Sequence, residues 1–168
     1  MDQHTKNNTR RIAILINAVL LILILCFVFG NSMLSKQESA EVSSSVMGAV
    51  EGILRPIVEL ITGGSVDDTL LHKVVRKGAH FAEFAALSAL LTGLLWLWHG
   101  TWQTHAMGYV LFCSLLVGVL DEFLQSFTGR GSSVRDVMID FCGALMGIAF
   151  AIAVIGIYGR LRRRKNNE

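Results

Sequence analysis

The chain has 168 residues, a formal net charge of +2, 52% apolar residues and a mean hydropathy of +0.53. Charged residues make up 17%, below the quarter or so usual in soluble domains, so the composition points to a membrane protein with little length left for a soluble domain. The small net charge, with its main basic run abutting an apolar segment, argues against nucleic-acid binding.

Residues 12–29 form the first predicted span, apolar except for Asn17 and Cys26 and close to the minimum crossing length of about 18 residues. Lys6, Arg10 and Arg11 before it would also suit a signal peptide. The run is long for one, however, and no small-x-small cleavage site follows at Gly30, Asn31 and Ser32, so an uncleaved anchor is expected.

Residues 31–45 are rich in Ser, Gln and Glu and are expected to form an exposed linker. Val42, Val46, Val50, Ile53, Ile57 and Ile61 recur at three- to four-residue spacing and predict a short amphipathic helix on the outer surface. Pro56 is expected to kink or divide that helix, and Gly63 with Gly64 to end it. Ser65 followed by Asp68 resembles a capping box, predicting a helix that starts near Val66 and runs straight into the second span.

The second, third and fourth spans are predicted at residues 78–98, 106–125 and 137–158. Only residues 99–105 link the second to the third, so these two are antiparallel neighbours. Trp96, Trp98, Trp102 and Tyr109 gather around that link, as in an interfacial aromatic belt. Basic residues precede the first span and follow the last (Arg160, Arg162, Arg163, Arg164 and Lys165), which predicts two cytoplasmic termini. The expected fold is an all-α membrane protein: residues 1–11 cytoplasmic, a four-helix transmembrane domain over 12–158 that includes an outer loop at 30–72, and a basic cytoplasmic tail at 159–168.

Charged residues at the ends of these spans mark the candidate site, because a charge at membrane depth costs roughly 2.5–3.5 kcal/mol and needs a partner or a wet cavity. Three clusters qualify: Arg76, Lys77, His80 and Glu83; Asp121, Glu122 and Gln125; and Arg130, Arg135, Asp136 and Asp140. At 100° per residue the second helix gathers Lys73, Arg76, Lys77, His80, Glu83 and Phe84 within about 120°. The third aligns Ser114, Gly118, Asp121, Glu122 and Gln125; the fourth aligns Asp136, Asp140, Gly143 and Gly147. Antiparallel crossing brings the three stripes to one end, the outer one if the termini are cytoplasmic.

The order of these residues resembles the VanZ-like family of small bacterial membrane proteins. Lys77 with His80, Asp121-Glu122 followed by Gln125, then Arg130, Ser132, Ser133 and Asp136 carry the resemblance; Gly143 and Gly147 continue it. The Ser-rich stretch after the first span is also similar, so the likeness covers roughly residues 12–155. Phe84 departs from it, standing where the family often has Tyr. The resemblance implies an envelope protein and, through the member that names the family, low-level resistance to the glycopeptide teicoplanin.

On this reading Lys77, Arg130 and Arg135 offer charge-assisted bonds to a lipid- or cell-wall-linked ligand, and Asp121, Glu122 and Asp136 orient them. The plain alternative is a set of interhelical salt bridges that fix packing. Two further readings use the same residues: a membrane-embedded hydrolase or transferase in which His80, Glu83, Asp121, Glu122, Asp136 and Asp140 supply ligands for a divalent metal or a paired acid and base, with Arg130 stabilising a developing anion, or a small transporter. The spacing matches no known metal signature, so no metal or other cofactor is predicted and no catalytic residue is assigned. His4, His99 and His105 are expected to be solvated or interfacial, and Cys26, Cys113 and Cys142, all inside spans, indicate no disulfide framework.

Overall fold

The computed structural model describes residues 3–64, 67–101, 105–129 and 132–166. They form five helices: α1 (Gln3–Met33), α2 (Lys36–Thr62), α3 (Asp68–His99), α4 (Ala106–Phe127) and α5 (Val134–Asn166). No strand occurs among the described residues. Four segments are long and apolar enough to cross a membrane: Asn7–Met33, Asp68–His99, Ala106–Phe127 and Val134–Leu161. The protein is an all-α, multi-pass membrane protein.

Its apolar surface follows from that environment. Leu15, Val19, Ile22, Phe112, Val119, Phe123, Met146 and Phe150 are exposed on the outside of the bundle, where lipid rather than water suits them. The three cysteines are free and lie on the same exposed surface. Packing inside therefore relies on close backbone approach and on polar contacts.

The central helix is α3, which touches the other four. Its closest neighbour is α5, and the cause is the pair Gly143 and Gly147. A side-chain carbon at either position would run into backbone: the Phe81 carbonyl at Gly143, and the Ala85 carbonyl with the Ser88 hydroxyl at Gly147. The Ser88 hydroxyl donates across the same interface to the Ala144 carbonyl at 2.8 Å. Small residues four apart allow such an approach, as in other membrane helix pairs.

Arg10 fastens the start of α1 to the end of α3. Its guanidinium donates to the Leu97 and Trp98 carbonyls, both at 2.7 Å, where the last turn of a helix leaves acceptors unpaired. Trp96 packs edge-on against Tyr158 of α5 at 5.9 Å, so the aromatic group joins α3 to α5 as well as marking that end. Trp98 and Tyr109 are exposed, and Trp102 lies outside the described residues.

Two expectations for the segment after α1 need correction. The linker is nearly absent: α1 continues to Met33 and α2 begins at Lys36. Ser35 and Glu38 cause the early start, forming a capping box in which the Ser35 hydroxyl accepts from the Glu38 N–H and the Glu38 carboxylate accepts from the Ser35 N–H. Secondly, Pro56 does not divide α2. Met47 before it and Val58 after it both pack on Leu71 and Val75 of α3, which holds the two halves as one element. The helix expected to run straight into the second span is present as α3, which begins at Asp68 with Asp67 as its N-cap; Ser65 and Val66 lie outside the described residues. Arg55 ties the two helices together through Glu51 at 2.6 Å and Asp68 at 2.5 Å.

The amphipathic character of α2 is as expected, but two sides divide its apolar arc. Met47, Val50, Leu54 and Val58 pack toward α3, while Val42, Val46, Ile53, Ile57 and Ile61 are exposed. α3 has 32 residues, roughly 48 Å at 1.5 Å per residue, and outruns a hydrocarbon core of about 30 Å. α2 packs against its first turns, at Leu71 and Val75.

Candidate functional site

The charged stripes meet at the α2 end of the bundle, and Asp121 is the hub. It is wholly buried near the end of α4. One carboxylate oxygen accepts from the Ser32 hydroxyl of α1, and the other accepts from Gln125 Nε2, one turn further along α4, at 2.7 Å. That second oxygen also lies 3.9 Å from His80 Nδ1 of α3. His80 Nδ1 in turn lies 3.8 Å from Asp140 Oδ1 of α5. Thus α1, α3, α4 and α5 each send a polar side chain to one place.

Around this hub are three further contacts. Asn31 Nδ2 donates to Glu83 at 3.4 Å, joining α1 to α3. Lys77 Nζ pairs with Asp136 Oδ1 at 2.7 Å, joining α3 to the first turn of α5; both are part-exposed and form the rim. The backbone N–H of Ser133 donates to the buried Glu122 carboxylate at 2.7 Å, drawing the chain before α5 back over the end of α4. Gly129, with φ +72°, permits the turn that starts this return.

Of the residues singled out by sequence, Lys77, His80, Glu83, Asp121, Glu122, Gln125, Asp136 and Asp140 come together. Arg130 lies outside the described residues. Arg135 is brought near in sequence but not into the cluster. It is exposed, as are Lys73 and Arg76. Helical phase explains Arg135, which sits next to Asp136 but about 100° around the helix from it. Phe84 is fully buried against Val28 and Leu87 and belongs to the apolar core below the cluster.

Sequence reasoning missed Asn31 and Ser32. Their neighbours' Ser-rich composition suggested a linker, whereas both residues continue α1 by one turn past its apolar run. The available signal was helical phase: Ser32 lies four residues after Val28, and both are buried on one side of α1. The Ser32 hydroxyl also touches the Val28 carbonyl at 2.9 Å.

The VanZ/LLP1 family model matches residues 17–156, from the middle of α1 to the last turns of α5's membrane segment. The chain belongs to the VanZ/LLP1 family. The match takes in every residue of the cluster, including Asn31 and Ser32. No curated protein and no solved structure matches the chain. In this VanZ/LLP1 protein the conjunction of four helices, rather than any local motif, builds the site.

Proposed function

We propose that this VanZ/LLP1 protein acts at the outer face of the bacterial cell envelope, where the polar end of its bundle binds the head group of an envelope or cell-wall-linked molecule and contributes to resistance to teicoplanin-type glycopeptides. What supports this reading is the convergence of polar side chains from four membrane helices at one end, with a part-exposed Lys77–Asp136 rim. A rim pair can open toward a ligand at lower cost than the buried residues beneath it, because water already screens part of its attraction. Lys77 then meets phosphate or carboxylate, and Asp136, its partner on the rim, orients it. Sidedness comes from the basic residues flanking the first and last spans, which favour cytoplasmic termini.

The test is a susceptibility panel of cell-wall-active antibiotics on cells expressing the wild type, His80→Ala or Asp121→Ala at equal membrane levels. The expected outcome is lowered teicoplanin susceptibility with the wild type and its loss in both variants. Unchanged susceptibility throughout rejects the resistance reading. A second reading, a membrane-embedded hydrolase or transferase, is favoured by one observation: the His80 imidazole near two buried carboxylates at 3.9 and 3.8 Å, a juxtaposition suited to acid–base work.

A further inference from the structure

We propose that His80, Asp121 and Asp140 form a binding site for one divalent transition-metal ion. The three come from α3, α4 and α5, and each offers one ligand atom, a ring nitrogen or a carboxylate oxygen, all within 4.8 Å of one another. Metal bonds of about 2.0–2.2 Å place ligand atoms roughly 3–3.5 Å apart. The separations of 3.8 and 3.9 Å from His80 Nδ1 exceed that by about half an ångström, within reach of small side-chain rotations.

Asp140 points independently to a bound cation. It is 1% exposed, and neither of its carboxylate oxygens has a hydrogen-bond partner among the described residues. Taking an ionised carboxylate out of water costs several kcal/mol unless a counter-charge meets it. Lys77 is engaged with Asp136, and the 3.8 Å approach of His80 is too long for a hydrogen bond. Three arrangements can satisfy such a group: a proton on Asp140, a protonated His80 imidazole 3.8 Å away, or a metal ion shared by the three side chains.

The surroundings favour the metal. Ligating carboxylates are usually held by a second layer of hydrogen bonds, and Asp121 has such a layer in Ser32 and Gln125. Those donors hold Asp121 in place near His80 and Asp140 without taking the place of a cation. One imidazole nitrogen with two carboxylate oxygens suits Zn²⁺ or Mn²⁺ better than Ca²⁺, which takes six to eight oxygens. Three protein ligands also leave positions for water or another ligand. The site requires no particular head group, so it stands or falls separately from the ligand reading.

The experiment uses the full chain purified in detergent, stripped with a chelator and titrated with Zn²⁺ and Mn²⁺ by calorimetry. One ion per chain is expected for the wild type, with Asp140→Asn weakening it by at least about 100-fold and Ser32→Ala by about 10- to 100-fold. Arg135→Ala, at an exposed position, leaves it unchanged. Monodisperse elution and helical circular dichroism establish that each variant is folded. If Asp140→Asn does not fold, Ser32→Ala and the visible spectrum of Co²⁺-loaded wild type decide, since mixed nitrogen and oxygen ligation changes that spectrum from the aqueous one. No saturable binding to folded wild type, or binding unaffected by Asp140→Asn, assigns the buried charge to a proton and overturns the proposal.

Discussion

Ser32 shows how much one hydroxyl can do at the end of a membrane helix. It is fully buried, it follows an apolar run, and its contact with Asp121 is the direct polar link between α1 and α4 at the hub. Ser32→Ala would leave a buried carboxylate oxygen short of a donor. The expected loss is about 0.5–2 kcal/mol, since buried hydrogen bonds in membrane bundles are individually modest. Reversible unfolding in detergent would measure it, and no change would place the hydroxyl outside the energetics of the bundle. At this scale the sequence showed which polar residues were costly: Lys77, His80, Asp121 and Asp140 all stood at span ends. It did not show which would pair. Arg135 and Asp136 are adjacent in sequence, yet only Asp136 joins Lys77.

At the scale of elements, α3 and α5 depend on the absence of side chains at Gly143 and Gly147. Gly147→Leu would force the helices apart at Ala85 and Ser88, with an expected cost of about 1–3 kcal/mol or more from overpacking. Gly159→Leu, in open space on the same helix, is the control and should be nearly silent. The start of α2 carries a pH dependence. Hydrogen bonds from the Ser35 hydroxyl and N–H hold the Glu38 carboxylate below its ordinary value of 4.5. A depressed carboxylate stabilises the fold above its unfolded value, so the cap is retained at neutral pH and lost as the pH falls below about 4.5. Hydrogen exchange over residues 36–40, corrected for its intrinsic pH dependence, should therefore rise on acidification from pH 6 to pH 4. In Glu38→Gln that rise should be absent. The four spans and the amphipathic α2 were legible as elements because apolar length and spacing encode them locally. The end of α1 and the start of α2 were not, because a Ser-rich stretch can be linker or capped helix until tertiary contacts at Ser32 and Met47 select between them.

The whole molecule turns on sidedness. The start of α1 and the end of α3 share one end of the bundle, as the Arg10 contacts show, and the hub occupies the other. With the three native cysteines replaced, single cysteines at Gly64, Thr101 and Ser132 would read this arrangement. A membrane-impermeant maleimide on intact cells is expected to label Gly64→Cys and Ser132→Cys, and Thr101→Cys only after permeabilisation. The reverse pattern would put the hub on the cytoplasmic side and remove the outer-face ligand reading, while leaving the metal proposal intact.

By itself the sequence determined that this is a helical membrane protein of the VanZ kind, with polar stripes whose phase faces away from lipid. The helices and stripes follow from local periodicity and from the cost of placing charge in hydrocarbon, while the VanZ likeness rests on the order of Lys77, His80, Asp121, Glu122, Gln125 and Asp136. Only the tertiary structure decided that α1 reaches the site through Asn31 and Ser32, that Arg135 stays outside it, and that Asp140 meets no hydrogen-bond donor among the described residues. Such facts depend on distances between helices far apart in the chain. Those distances are set by where backbones can approach, above all at Gly143 and Gly147.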